Sequence, residues 1–144
     1  MHNEEKLENA ITTATKLHGH LGPFLVIGVM MGRTAQKTLN TGEDKELHAT
    51  ATVPLQPPFS CVLDGIQAST QCTIGNQRLR LTNSTKEITA FFQTQDTKKT
   101  LELSVNSWII DDLLSELSKG ASNEDLAWKI ARTPEEQLFR IKRR

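Results

Sequence analysis

Both cysteines of this chain, Cys61 and Cys72, lie inside one stretch, Pro57 to Asn76, and that stretch sets how the rest of the chain can be laid out. It opens on Pro57-Pro58 and reaches Gly75, residues that punctuate secondary structure at both ends. Between them the pattern is a short helix of about three turns, with Ser60 placed as its N-cap. Cys61 is then the first helical residue, where backbone N–H groups point outward and the helix dipole favours an anion. A thiol so placed has a lowered pKa, which suits a metal ligand or a nucleophile. Asp64 follows one turn on, near the same face. Its carboxylate can orient a ligand, and it also opposes the dipole by raising the thiol pKa. Cys72 falls beyond the helix, where Thr70, Thr73 and Gly75 signal a turn. A free cysteine also serves well as a small buried hydrophobe.

The remaining segments sort by period. Glu4 to Leu17 reads as a helix with Leu7, Ala10, Ile11, Ala14 and Leu17 on one face. His18-Gly19-His20-Leu21-Gly22-Pro23 interrupts it, and a second helix runs from Pro23 to about Leu39. Gly28 and Gly32 put small residues one turn apart on that helix, as for tight packing against a sheet. Residues 40–44 read as a loop. Leu47 to Pro54 alternates like a half-buried strand. Arg78–Thr82, Glu87–Thr94 and Thr100–Val105 then read as three strands of an antiparallel meander joined by short turns. Beyond them Trp108, Ile109, Leu113 and Leu117 form a helical stripe ending at Gly120. Ser122-Asn123-Glu124-Asp125 opens another helix and Thr133-Pro134 a third. The expectation is an α+β fold in one domain, residues 1–144: an N-terminal helix pair, a β-meander sheet, a short cysteine-bearing helix and C-terminal helices over 106–144.

The 144 residues suit one domain. Lys+Arg and Asp+Glu balance at 17 each, so no overall field draws the chain to nucleic acid or an anionic membrane. The basic run from Arg140 to Arg144 reads as a helix end. The N-terminus is charged and is no signal peptide, and no apolar run reaches the ~20 residues that span a bilayer. Two cysteines make no disulfide framework. These features point to a reducing cytoplasm.

His18 and His20 flank Gly19. On an unbroken helix residues two apart diverge, but at a helix end broken by glycine both imidazoles can converge. Two His and two Cys form a donor set that fits zinc or another first-row transition metal. The spacing is not that of a zinc finger, and His18 can equally cap the helix carbonyls while His20 bonds to backbone.

Taken together, these two stretches resemble the FmdE family, which is associated with formylmethanofuran dehydrogenase. The first motif matches His18-Gly19-His20-Leu21-Gly22-Pro23-Phe24, followed by Gly28 and Gly32. The second matches Cys61-Val62-Leu63-Asp64-Gly65-Ile66-Gln67 and Thr70-Gln71-Cys72-Thr73-Ile74-Gly75-Asn76. The resemblance covers about residues 7–105. Gly22 stands where the family usually has a cysteine and Gln71 where it has a glycine. The C-terminal Cys-x-x-Cys zinc ribbon of many relatives has no counterpart here. The resemblance implies a short, single-site member with an α+β fold, a Cys/His site and a homodimer. It also implies a protein partner in a molybdenum or tungsten enzyme system, in which the FmdE chain is not the catalytic one.

Three functional expectations follow. The first is a metal-binding accessory or regulatory protein with His18, His20, Cys61 and Cys72 as ligands, supported by Asp64, Gln67 and Thr70. The second is an enzyme with Cys61 as nucleophile and His18 or His20 as base. The third is a dimerisation module with a vestigial site. The homodimer is expected to use the second helix, through Gly28 and Gly32, and part of the meander. Phe91 and Phe92, adjacent in a strand, must face opposite ways.

Overall fold

The computed structural model describes residues 2–40, 46–96 and 98–143, and side chains from Lys6 onward. Most of the loop expected at 40–44 lies outside the described residues. Among the described residues, six helices and five strands follow in the order α1 (His2–His18), α2 (Pro23–Thr38), β1 (Leu47–Val53), α3 (Cys61–Thr70), β2 (Leu79–Asn83), β3 (Thr89–Thr94), β4 (Thr100–Val105), α4 (Ser107–Ser118), α5 (Asn123–Ala131), α6 (Glu135–Leu138) and β5 (Phe139–Arg143). The fold class is α+β, as expected.

Local signals end the helices as read. Gly19, at φ +104°, closes α1 and its N–H donates to the Thr15 carbonyl at 2.7 Å. Pro23 begins α2. The Ser122 hydroxyl accepts from the Asp125 N–H at 3.2 Å and caps α5. Residue 71 ends α3 in the left-handed region, at φ +63°. A side chain there is strained, and glycine is the residue that this conformation favours. Gln71→Gly is expected to raise stability by about 0.5–1 kcal/mol, read as a small upward shift of the thermal midpoint. A downward shift would show that the Gln71 side chain contributes more than its backbone costs.

The sheet corrects the expected meander. Its order is β2-β1-β3-β4-β5, and β2 lies parallel to β1 at one edge instead of pairing with β3. Thus β1, α3 and β2 form a crossover unit, with the cysteine-bearing helix as its connection. Strand β3 pairs antiparallel with β1 and with β4. The C-terminus is a second correction. The basic run expected as a helix end is strand β5, antiparallel to β4. Phe139 and Ile141 alternate with Arg140 and Lys142, and the free edge of β4 supplies the partner. Charged side chains on such an edge strand discourage further pairing.

One face of the sheet carries Ala49, Ala51, Val53, Ala90, Phe92, Leu101, Leu103 and Val105, all buried in a core shared with the helices. The other carries Thr50, Thr52, Phe91, Gln93, Glu102 and Ser104, none of them buried. Phe91 and Phe92 do diverge: Phe92 is buried and Phe91 is 37% exposed. Of the apolar stripe expected on α4, Ile109 and Leu113 are buried, with Ile110 beside them, whereas Trp108 is 56% exposed.

The glycine surface of α2 is covered within the chain. A Cβ on Gly28 would strike the Val62 carbonyl oxygen and lie 2.9 Å from the Gly65 Cα. One on Gly65 would strike the Leu25 carbonyl oxygen and lie 2.7 Å from the Val29 nitrogen. Gly32 faces Ser69 and Thr70. Helices α2 and α3 therefore meet backbone to backbone. This corrects both the expected packing against the sheet and the expected use of Gly28 and Gly32 by a partner chain.

Candidate functional site

The contact of α2 with α3 holds α3 in place, and the end of α1 lies against the exposed side of α3. His18, the last residue of α1, points Nδ1 at the Asp64 carboxylate, 2.7 Å from Oδ2. Gln67, three residues along α3, donates its amide to Asp64 Oδ1 at 3.0 Å. The Gln67 carbonyl oxygen in turn accepts the Ile74 N–H at 3.3 Å. A chain of hydrogen bonds thus runs from the turn after α3, through Gln67 and Asp64, to one ring nitrogen of His18.

That turn is itself fastened. Asn76 Oδ1 accepts from the Thr73 and Arg78 N–H groups, each at 3.0 Å, and its amide donates to the Gln71 carbonyl at 2.7 Å. Sequence reading passes over this role of Ile74 and Asn76. The asparagine three residues after a threonine is the available signal.

The other ring nitrogen of His18, Nε2, is buried and has no hydrogen-bond partner. The His18 side chain is 15% exposed. A buried polar atom without a partner costs about 1–3 kcal/mol, which makes Nε2 the candidate position for a ligand. His20 is exposed, and its ring lies 4.6 Å from that of His18, tilted by 40°. Cys61 is half-buried at the first position of α3.

The thiol of Cys61 departs from expectation. Burial pushes its pKa up and the Asp64 charge pushes it further, against a smaller lowering by its backbone hydrogen bond. The helix N-terminus has little to offer it. The N–H groups of Cys61, Val62 and Leu63 donate to the carbonyls of Pro58, Phe59 and Ser60 at 3.2, 3.2 and 3.0 Å. The turn before α3 consumes the donors that an anion would need. Ser60, at the cap position, makes no side-chain cap. In metal-free protein, iodoacetamide is therefore expected to modify Cys61 with a pH midpoint above that of an unstructured thiol, and Cys72 only on unfolding. An acid-shifted midpoint at Cys61 would restore the nucleophile reading.

Cys72 is not brought to the other candidates. It is buried, its thiol donates to the Leu47 carbonyl at 3.0 Å, and burial raises its pKa. It lies beyond the C-terminal end of α3 and Cys61 lies at the other, a separation of about 15 Å along ten residues of helix. One metal ion cannot ligate both. Thr70 belongs with Cys72: its hydroxyl donates to the Ile66 carbonyl at 2.6 Å and accepts the Cys72 N–H at 3.0 Å. Among the described residues, no three His, Cys, Asp or Glu side chains are gathered as a ready metal cage. What fits a metal is the bare Nε2 of His18, held in orientation through Nδ1 by a carboxylate, as histidine ligands commonly are.

Fold and site together define an α+β protein whose crossover helix α3 presents a carboxylate to a histidine at the end of α1, with a second histidine ring stacked beside it. The family model described as FmdE, Molybdenum formylmethanofuran dehydrogenase operon, matches residues 17–140. The chain belongs to the FmdE family. A crystal structure of a tungsten formylmethanofuran dehydrogenase FmdE-like protein from Syntrophus aciditrophicus has the same fold, with a TM-score of 0.69 at 19% identity over 95% of this chain and 71% of that one. A protein of Archaeoglobus fulgidus described as a probable S-adenosyl-L-methionine-binding protein is 26% identical over 94% of this chain. The alignment takes in only 42% of that relative's length. No helix among the described residues is long and apolar enough to cross a membrane.

Proposed function

We propose that this chain is a metal-binding accessory or regulatory protein of a formylmethanofuran dehydrogenase-type molybdenum or tungsten system, or a free-standing relative, acting in the cytoplasm. The observation that carries the reading is the buried, unpartnered Nε2 of His18 with Asp64 and Gln67 behind its other nitrogen. His18, His20 and Cys61 would hold zinc or another first-row transition metal, a smaller set than the four residues read from the sequence. A zinc ion so held supplies a Lewis acid, and Asp64 keeps the His18 tautomer that leaves Nε2 free to bind. The reading includes a homodimer, placed on the open face of the sheet, where Phe91 is exposed. Elemental analysis of protein purified without an affinity tag and incubated with zinc tests the site. About one equivalent per chain is expected for a single site of three protein ligands with an open fourth position, and a few hundredths of an equivalent of any transition metal would overturn it.

The A. fulgidus relative supplies a second reading, binding of S-adenosyl-L-methionine, supported by an alignment along nearly all of this chain. Equilibrium dialysis with the labelled compound separates the two, because zinc analysis is blind to it.

A further inference from the structure

The sheet has two outer edges, β2 and β5, and they differ. The Ala49 N–H donates to the Arg78 carbonyl at 2.8 Å, which leaves the backbone groups of Leu79 pointing away from β1. The Leu79 N–H is then taken by the Thr73 carbonyl at 3.1 Å, so the turn after α3 lies against that edge. The edge of β5 is open. There the Asn106 N–H donates to the Leu138 carbonyl at 2.9 Å, and the register beyond it sets Ser104 against Arg140 and Glu102 against Lys142. Hydrogen-bonded pairs alternate along an antiparallel ladder. Arg140 and Lys142 therefore turn their backbone groups to β4, while Ile141 and Arg143 turn theirs outward. Among the described residues no strand pairs with that side of β5.

The side chains of β5 are exposed from Arg140 to Arg143, and they alternate. Ile141, opposite Leu103, lies on the helix-covered face at the sheet's margin and is 39% exposed. Arg140 and Lys142 lie on the open face, on either side of it. Arg140 has no ion-pair partner among the described residues, and Lys142 reaches the Glu102 carboxylate at 4.0 Å with its own side chain 76% exposed. A second β5 is a poor occupant of this edge. Paired antiparallel about Ile141, it would set each Arg140 against Lys142 of the other copy, and like charges directly opposite are destabilising. A strand of opposite charge meets no such penalty.

We propose that the free edge of β5 receives an extended segment of a partner protein as an added strand, and that this segment alternates acidic and apolar side chains. The outward N–H and carbonyl of Ile141 supply main-chain hydrogen bonds, the source of affinity in strand addition. Side chains of the added strand alternate between the two faces. An apolar one therefore lies beside Ile141, and the carboxylates flanking it lie beside Arg140 and Lys142. The cations that repel a like strand select an acidic one.

The test is fluorescence anisotropy of two labelled peptides titrated with the full chain at low ionic strength. One is Glu-Val-Glu-Val-Glu-Val-Glu. The other has proline at each valine, which keeps the charge and removes the N–H groups that would face β5. The valine peptide is expected to saturate, and the proline peptide to bind about tenfold more weakly or worse, the equivalent of one lost hydrogen bond. Ile141→Pro should weaken the valine peptide by a similar factor. It removes an outward N–H and no bond to β4, and proline is tolerated where an edge strand's N–H faces solvent. Arg140→Gln and Lys142→Gln should each weaken it by a smaller factor. No saturable binding of the valine peptide would overturn the proposal. Equal binding of the two peptides would also overturn it, because only diffuse charge attraction would remain. Sedimentation of the parent chain and of Ile141→Pro tests the other occupant: self-association that this substitution abolishes would put a second copy on the edge and overturn the proposal.

Discussion

Gly28→Ala is expected to destabilise the protein by about 3 kcal/mol or more, at the upper end of the overpacking range. The reason is what a methyl group would meet. On Gly28 it would strike the Val62 carbonyl oxygen, with the Val62 carbonyl carbon and the Gly65 Cα each at 2.9 Å. These are backbone atoms of α3, which cannot rotate away, so the two helices must part. Gly65→Ala, on the facing helix, should cost as much. Gly32→Ala should cost less, because there the obstruction is the Ser69 hydroxyl and the Thr70 methyl at 2.7 Å, and side chains can turn. Gly75→Ala is the control: its φ is ordinary and its Cβ would meet only Thr73 Oγ1 at 3.9 Å. Thermal denaturation followed by circular dichroism reads the series. A loss of about 3 kcal/mol corresponds to roughly 6–12 °C in a domain of this size. A Gly28→Ala midpoint equal to that of Gly75→Ala would mean that the helices are not in backbone contact.

The second large effect concerns the histidine site. With zinc present at a hundredfold excess over its dissociation constant, the folded state should gain about 2.7 kcal/mol, a rise of roughly 5–10 °C in the midpoint. His18→Ala should abolish both the rise and the bound metal, since it removes the one nitrogen that is already oriented and desolvated. Asp64→Asn keeps the shape but replaces a carboxylate that fixes the His18 tautomer, and should weaken metal affinity by about 10–100-fold. Cys72→Ala should leave metal binding intact, because the thiol donates to the Leu47 carbonyl at the far end of α3. If Cys72→Ala removes the metal and His18→Ala does not, the assignment is inverted and the proposed site is wrong.

The fold and the site are legible in the sequence to different depths. Strand β4 reads correctly residue for residue, and α1, α2 and β1 to within about two residues, a normal boundary error. The C-terminal strand escapes sequence reading because Phe139 to Arg143 is too short for its alternation to outweigh a helical start at Pro134. Only the waiting edge of β4 identifies it. Strand β2 is visible but takes an unexpected neighbour. A short turn to β3 suggests a hairpin, whereas pairing with β1 buries Leu79 and completes the crossover. In the site, His18, Asp64 and Gln67 are named as members by their motifs and do meet. Cys72 joins them only by proximity in sequence, and its separation from Cys61 by a rigid helix undoes the grouping.

Taken alone, the sequence determined what short-range physics can settle. Periodicity placed the helices, Gly19 and Gly120 ended two of them, Ser122 capped another, and a carboxylate one turn from Cys61 was bound to act on its thiol. Only the tertiary structure decided the rest, because each remaining question depends on what a distant segment brings to the same place. Whether Gly28 meets a sheet, a partner or α3 depends on the path of the crossover. The shift of the Cys61 pKa depends on burial and on a preceding turn that spends the helix's free donors. The hold of Asp64 on Nδ1 of His18 exists only because α1 ends where α3 presents that carboxylate.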